Sequence, residues 1–160
     1  MILRASIVAI FLLMLGCQKE SVACRTNVLV DAAGNAGCWA VSEGQLLMVK
    51  QRSGKYSFPG GTSEPGESAQ CTAHRETWEE AGVDVLVAKL KHQFDNGFYL
   101  FDCHAERVAA KTLNWAEVEE VVWVNPQTIA EHDWRFPYQR AIAIQWIQDH
   151  RAGGTARTNR

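Results

Sequence analysis

Three carboxylates fall within five residues at Glu76, Glu79 and Glu80, with Arg75 beside them. On a helix, residues three and four apart share a face, so Glu76 stands over both Glu79 and Glu80. Carboxylates that close repel one another unless a positive group joins them. The economical partner is a hard divalent cation, because Mg²⁺ and Mn²⁺ prefer carboxylate and carbonyl oxygens. An isolated run of this kind also describes a solvated Glu-rich helix face. The residues at fixed distances from it argue for chemistry. Gly60 and Gly61 let the backbone turn and approach a ligand, and a short acidic loop containing Glu67 leads into the helix.

Gly61, Glu67, Arg75, Glu76, Glu79, Glu80, Gly82 and Val83 follow one pattern: Gly, five residues, Glu, seven residues, Arg-Glu, an apolar residue, any residue, Glu-Glu, any residue, Gly and an apolar residue. In this the stretch resembles the signature of the Nudix hydrolases. Eight fixed positions over 23 residues make the match far more specific than a lone Gly-rich motif. The one departure is Thr77, where the family usually has an aliphatic side chain; its γ-methyl still offers apolar surface to a core.

The resemblance implies an α+β fold, an α-β-α sandwich whose mixed sheet is flanked by a catalytic helix over about 68–81 and a C-terminal helix over about 137–150. It implies hydrolysis of a diphosphate linked to a second group, X. Mg²⁺ or Mn²⁺ would be held by the Gly60 carbonyl with Glu76, Glu79 and Glu80. Arg75 would orient the carboxylates and Glu67 brace the loop, with Glu80 or a later Glu as general base. WAEVEEVVWVNPQTI resembles the strand after the box, where family members often place one further acid. Glu117, Glu119 and Glu120 are the candidates, with Glu119 or Glu120 favoured. The partner would be a small-molecule diphosphate, and family members often form homodimers.

Those residues need elements to position them. Cys38–Val41 and Gln45–Lys50 read as strands around the turn at 42–44. Arg52 and Lys55, in the turn before the box, are candidate phosphate contacts or solvated charges. Tyr56 and Phe58 read as core. Ser68 suits the helix N-cap and Gly82 its stop, leaving Ala69, Ala73, Thr77 and Ala81 as the stripe facing the sheet. His74 reads as a surface residue or a support for the ligands, not a ligand itself. Residues 84–94 and 98–103 read as strands about the Asp95-Asn96-Gly97 turn, and His104 as capping or exposed. Trp123 and Val124 turn inward, and Pro126 introduces a short helix. Pro137 opens the last helix, with Tyr138, Ile142 and Trp146 recurring at four-residue spacing. Trp134, Arg135 and Phe136 read as packing or as a border of the substrate pocket, Arg135 meeting phosphate through its planar fork. Residues 151–160 read as a disordered tail.

The N-terminus carries a different message. Arg4 precedes an apolar run from Ala5 to Leu15, too short for a membrane span and the size of a signal-peptide core. Gly16-Cys17 resembles the end of a bacterial lipobox, which would leave Cys17 as a lipidated N-terminus; a competing cut lies after Ala23. Gln18 would direct such a lipoprotein to the outer membrane, whereas the second cut gives a soluble periplasmic protein. The expected organisation is a leader over 1–16, a segment over 17–35, one catalytic domain over 36–150 and the tail. Loss of the leader leaves 15 basic against 18 acidic residues, a net charge of −3. Weak acidity of this kind gives no electrostatic footprint for nucleic acid.

Export also makes Cys24, Cys38, Cys71 and Cys103 candidates for disulfides, since no C-x-x-C spacing marks zinc. Of the three pairings, Cys24 with Cys38 and Cys71 with Cys103 is preferred. Outside the cytosol, nucleotide sugars, ADP-ribose-like compounds, dinucleoside polyphosphates and lipid-linked diphosphates are the candidate substrates. The alternative from another class is a non-catalytic Nudix-fold binding or scaffold lipoprotein.

Overall fold

Strand β1 (Ala36–Ser42) places Ala36, Cys38 and Ala40 in one apolar cluster and Trp39 in another. Strand β2 (Gln45–Gln51) repeats the alternation, sending Leu47 and Val49 to the first cluster and Leu46 and Met48 to the second. A strand whose side chains are buried on both faces must lie in the middle of a sandwich. The computed structural model describes residues 22–28, 32–105, 112 and 114–155. Among them the remaining elements are β3 (Tyr56–Ser57), β4 (Gly60–Gly61), α1 (Ala69–Ala81), β5 (Leu86–Gln93), β6 (Tyr99–His104), β7 (Val118–Val124), a 3₁₀ turn at Ile129–Glu131 and α2 (Pro137–Thr155).

The strands form one mixed sheet in the order β3-β2-β1-β6-β5, with β4 paired to β1 and β7 to β2. β1 and β6 run parallel; the other pairs are antiparallel. Helix α1 covers one face through Ala69, Ala73, Thr77 and Ala81, all fully buried, as the small-residue stripe predicts. Helix α2 covers the other with Ala143 and the partly buried Ile142 and Trp146 over Trp39, Phe58 and Trp134. The expected α-β-α sandwich is therefore the observed one. Helix α2 runs through Thr155, five residues beyond its expected end and into the span read as a tail.

The disulfides correct the preferred pairing. Cys24 bonds Cys71 and Cys38 bonds Cys103, with Cα separations of 5.2 and 5.5 Å. The parallel β1–β6 ladder is the reason: it sets Ala40 opposite Cys103, so Cys38 and Cys103 emerge two residues apart on the α1 face. Cys24 belongs to an N-terminal stretch held to β5 by Val87 N–H to the Arg25 carbonyl and Asn27 N–H to the Val87 carbonyl, which brings it to the start of α1.

Candidate active site

Helix α1 starts without a side-chain cap from Ser68; the Ala69 N–H instead donates to the Ala32 carbonyl at 2.8 Å. It stops at Gly82, whose φ of 64° is left-handed and whose N–H donates to the Trp78 carbonyl. Between these ends Arg75 is the organising side chain. Its Nε and Nη2 each donate at 2.9 Å to the two oxygens of Glu67, and Nη2 also reaches the Thr62 carbonyl at 2.8 Å. Nη1 bonds Glu76 at 2.9 Å and lies 3.4 Å from Glu79. Glu67 is fixed further by the Thr72 hydroxyl and the Glu64 N–H. A planar fork meeting both oxygens of a carboxylate sets orientation as well as charge. Burial pushes the Glu67 carboxyl up, but the bonds from Arg75, Glu64 and Thr72 outweigh it and hold it below the ordinary range.

Strand β4 meets the other end of the carboxylate row. Glu80 is 2 % exposed and accepts the Gly60 N–H at 2.8 Å. A Cβ on Gly61 would stand 2.6–2.7 Å from the carboxylate of Glu76, so only glycine lets that side chain lie against the backbone. Burial pushes the Glu80 carboxyl up to about 8. The Gly60 N–H opposes this, repulsion from Glu76 and Glu117 adds to it, and Arg135 offsets part. A buried carboxylate that repels its neighbours is a group short of positive charge.

A family profile, the NUDIX domain, matches residues 32–146 of the chain. The chain belongs to the Nudix family. The mouse protein "nucleoside diphosphate-linked moiety X motif 6" is 28 % identical over 126 residues, 71 % of this chain and 40 % of its own length. A MutT-like protein from Streptomyces ambofaciens is 28 % identical over 112 residues, covering 66 % of this chain and 71 % of that one. The chain thus spans about two fifths of the mouse relative and most of the bacterial one. Among solved structures, an ADP-ribose pyrophosphatase from Streptococcus suis superposes with a TM-score of 0.60 at 17 % identity, over 71 % of this chain and 91 % of that chain. At that identity the likeness shows the Nudix fold.

The Nudix box therefore occupies α1 and the loop before it, and Gly60, Gly61, Glu67, Arg75, Glu76, Glu79 and Glu80 are gathered as its pattern predicts. Other predicted residues are placed differently. β7 carries one extra residue at Glu119, because Lys50 faces Glu120 while Gln51 faces Val118. Glu119 and Glu120 are both exposed, and Glu119 lies 3.5 Å from Lys50 Nζ. Glu117, set in the turn before the strand, is the acid whose charge reaches Glu80. Glu117 is itself exposed, like Glu119 and Glu120. Arg52 donates through Nε (2.8 Å) and Nη2 to the Trp115 carbonyl, and its N–H to that of Glu117, so it secures this turn. Lys55 is exposed in the β2–β3 turn.

Arg135 is held by its N–H on the Tyr56 carbonyl and by Nη1 on Gln51, close enough to act on Glu80. It also lies 5.0 Å from the centroid of Phe136. From there Phe136, Tyr138, Phe94 and Phe98 follow at 5.6, 4.9 and 6.1 Å, and the Phe98 ring edge comes within 2.9 Å of where a Cβ on Gly37 would stand, beside Gly60. The sequence reading offered Arg135 and Phe136 as a border of the substrate pocket but did not join them to Phe94, Phe98 and Tyr138, of which Tyr138 is 38 % exposed. Trp134 is packing, 4 % exposed with its N–H on the Ile129 carbonyl. His74 lies at neither a surface nor the carboxylates: it is buried, and its Nε2 pairs with Asp84 at 2.9 Å, which in turn pairs with Arg25. Cys17 falls outside the described residues.

Among the described residues no three His, Cys, Asp or Glu side chains converge as a finished metal cluster. The donor set nevertheless fits a hard cation: Glu76 on the bare Gly61 backbone, Glu79 a turn away, and Glu80 buried and short of positive charge. An ion there would take oxygens now bonded to Arg75 and the Gly60 amide.

Proposed function

We propose that the chain is a metal-dependent hydrolase that cuts the diphosphate linkage of a nucleoside diphosphate joined to a second group, X. The observation that carries this reading is Glu80: a carboxyl 2 % exposed, raised to about 8, and aligned with Glu76 and Glu79 on one helix face. Glu76, Glu79, Glu80 and the Gly60 carbonyl would hold Mg²⁺ or Mn²⁺. When bound, the metal supplies charge neutralisation for the phosphates and a water acidified toward neutral pH. Arg75 holds the carboxylates at fixed angles, and Glu67 keeps Arg75 from swinging away. Arg135 adds a cation on the substrate side, with Glu80 or Glu117 receiving the proton of the attacking water.

The exposed ring of Tyr138, beside Phe136 and Arg135, supports a flat, aromatic component in the substrate, because rings of this kind stack on bases. The mouse relative, named for a nucleoside diphosphate-linked moiety X, points the same way. An apolar leader ending at Cys17 supports export to the periplasm, as an outer-membrane lipoprotein or a soluble protein. Nucleotide sugars and ADP-ribose-like compounds are then favoured over cytosolic triphosphates.

A panel of nucleotide sugars, ADP-ribose, dinucleoside polyphosphates, isoprenoid diphosphates and triphosphates tests this with Mg²⁺ or Mn²⁺. Metal-dependent release of a nucleoside monophosphate from a member of the first three groups is the expected result. Absence of turnover across the panel by folded protein would overturn the enzymatic reading and leave the scaffold alternative.

A further inference from the structure

At the end of β1 remote from Gly61, the sheet, the stretch at Asn27 and Val28, the loop at 125–127 and Ile147 of α2 border an open cavity of about 1070 Å³. Ala36 pairs with Gly61 at the catalytic end, whereas Val41 lines the cavity. Five residues of strand set the two places roughly 17 Å apart. The volume is that of a small-molecule site.

The lining defines the occupant. Val28, Leu46, Ala88 and Ile147 give aliphatic walls. Trp39 is engaged: Lys91 Nζ stands 5.1 Å over it, and Trp146 and Phe58 meet it edge-on at 5.2 and 5.5 Å. The imidazole of His104 also lines the cavity and is exposed, and Asn27, Asn125 and Gln127 add polar groups to the rim. The lip carries Lys89 and Lys91 against a single carboxylate, Asp102. Lys91 is held by Asp102 at 2.9 Å and by the rings of Trp39 and Trp146, whereas Lys89 is 79 % exposed and only 3.9 Å from the same carboxylate. Two ammoniums on one acid leave an uncompensated positive charge on a mobile side chain above an aliphatic floor.

We infer that this cavity binds a single-chain aliphatic carboxylate, its alkyl chain along Val28, Val41 and Ile147 and its headgroup at Lys89. The site lies apart from the carboxylates of α1, and its occupancy does not depend on the diphosphate chemistry.

The full chain would be titrated calorimetrically with decanoate, decanol and decyltrimethylammonium, with tryptophan fluorescence as a second readout for Trp39 and Trp146. Saturable binding of decanoate is expected, with decanol weaker and the cation weakest. Lys89→Glu, at a solvent-exposed position, should weaken decanoate about ten-fold and narrow its advantage over decanol. Val41→Trp, which fills the lip from a 41 % exposed position, should weaken all three. No saturable binding of decanoate, or affinities that ignore both headgroup charge and Lys89→Glu, would overturn the proposal. Unchanged affinity in Val41→Trp would do the same.

Discussion

The two faces of the sheet are built to different specifications. Under α1 the helix offers Ala69, Ala73 and Ala81 to Ala36, Cys38 and Ala40 of β1, with Leu47, Val49 and Phe101 filling the rest of the layer, and a disulfide within the sheet joins Cys38 of β1 to Cys103 of β6. Small side chains let the helix approach closely and leave few alternative packings, so the carboxylates of α1 are registered against Gly60 and Gly61. Under α2 the contact is made by Trp39, Phe58, Phe94, Trp134 and Trp146, large rings joined edge to face, with an open cavity at one end. The difference separates two roles: one face holds the carboxylates of α1 against Gly60 and Gly61, while the other carries the large rings and the open cavity.

If that division is right, damage to the two faces should have different signatures. The largest stability loss belongs to the α2 side. Trp39→Ala should cost about 3–5 kcal/mol in chemical denaturation, yet turnover per folded molecule should stay within a few-fold. On the α1 side, Ala73→Leu should cost less, about 1–3 kcal/mol from overpacking. Because it displaces the helix, turnover per folded molecule should fall at least ten-fold, as expected for misplaced catalytic groups. Equal loss of turnover in both variants would erase the contrast. Arg75→Lys keeps the charge but loses the fork that spans Glu67 and Thr62; metal affinity or kcat should drop about 10–100-fold, with little change in melting temperature.

The stability profile with pH should carry the mark of Glu80. Its carboxyl rises from an ordinary value near 4.5 to about 8, so between those limits the folded chain keeps a proton that the unfolded chain releases. Stability of the metal-free protein should therefore fall as pH rises through that window. Glu80→Gln should flatten the fall, and Mg²⁺ should restore more stability at pH 8 than at pH 6. A wild-type profile no steeper than that of the variant would contradict the placement of Glu80. The smallest expected effect separates two neighbours: Glu117→Gln should lower kcat several-fold, whereas Glu119→Gln should leave it unchanged, since Glu119 only faces Lys50 at the surface.

The sequence made one face far more legible than the other, for physical reasons. Glu67, Arg75, Glu76, Glu79 and Glu80 lie on one loop and one helix, where 3.6-residue periodicity alone decides which side chains meet. The same holds for the stripe of Ala69, Ala73, Thr77 and Ala81. The disulfides were not legible, because Cys38 meets Cys103 through a parallel pairing of strands separated by 65 residues. The choice among Glu117, Glu119 and Glu120 was not legible, because the extra residue at Glu119 breaks the alternation on which it depended. A row of ring contacts joins Phe94 and Phe98 on one hairpin to Phe136 and Tyr138 at the start of α2, a link that no local spacing announces.

The most direct test of the central claim is a Mn²⁺ titration of wild type and Glu80→Gln, followed in the same samples by turnover of the best diphosphate substrate. The account predicts that wild type binds the ion with release of protons, and that the variant binds it weakly and turns over about 10²–10³-fold more slowly or worse. Full metal-dependent activity in Glu80→Gln would contradict it.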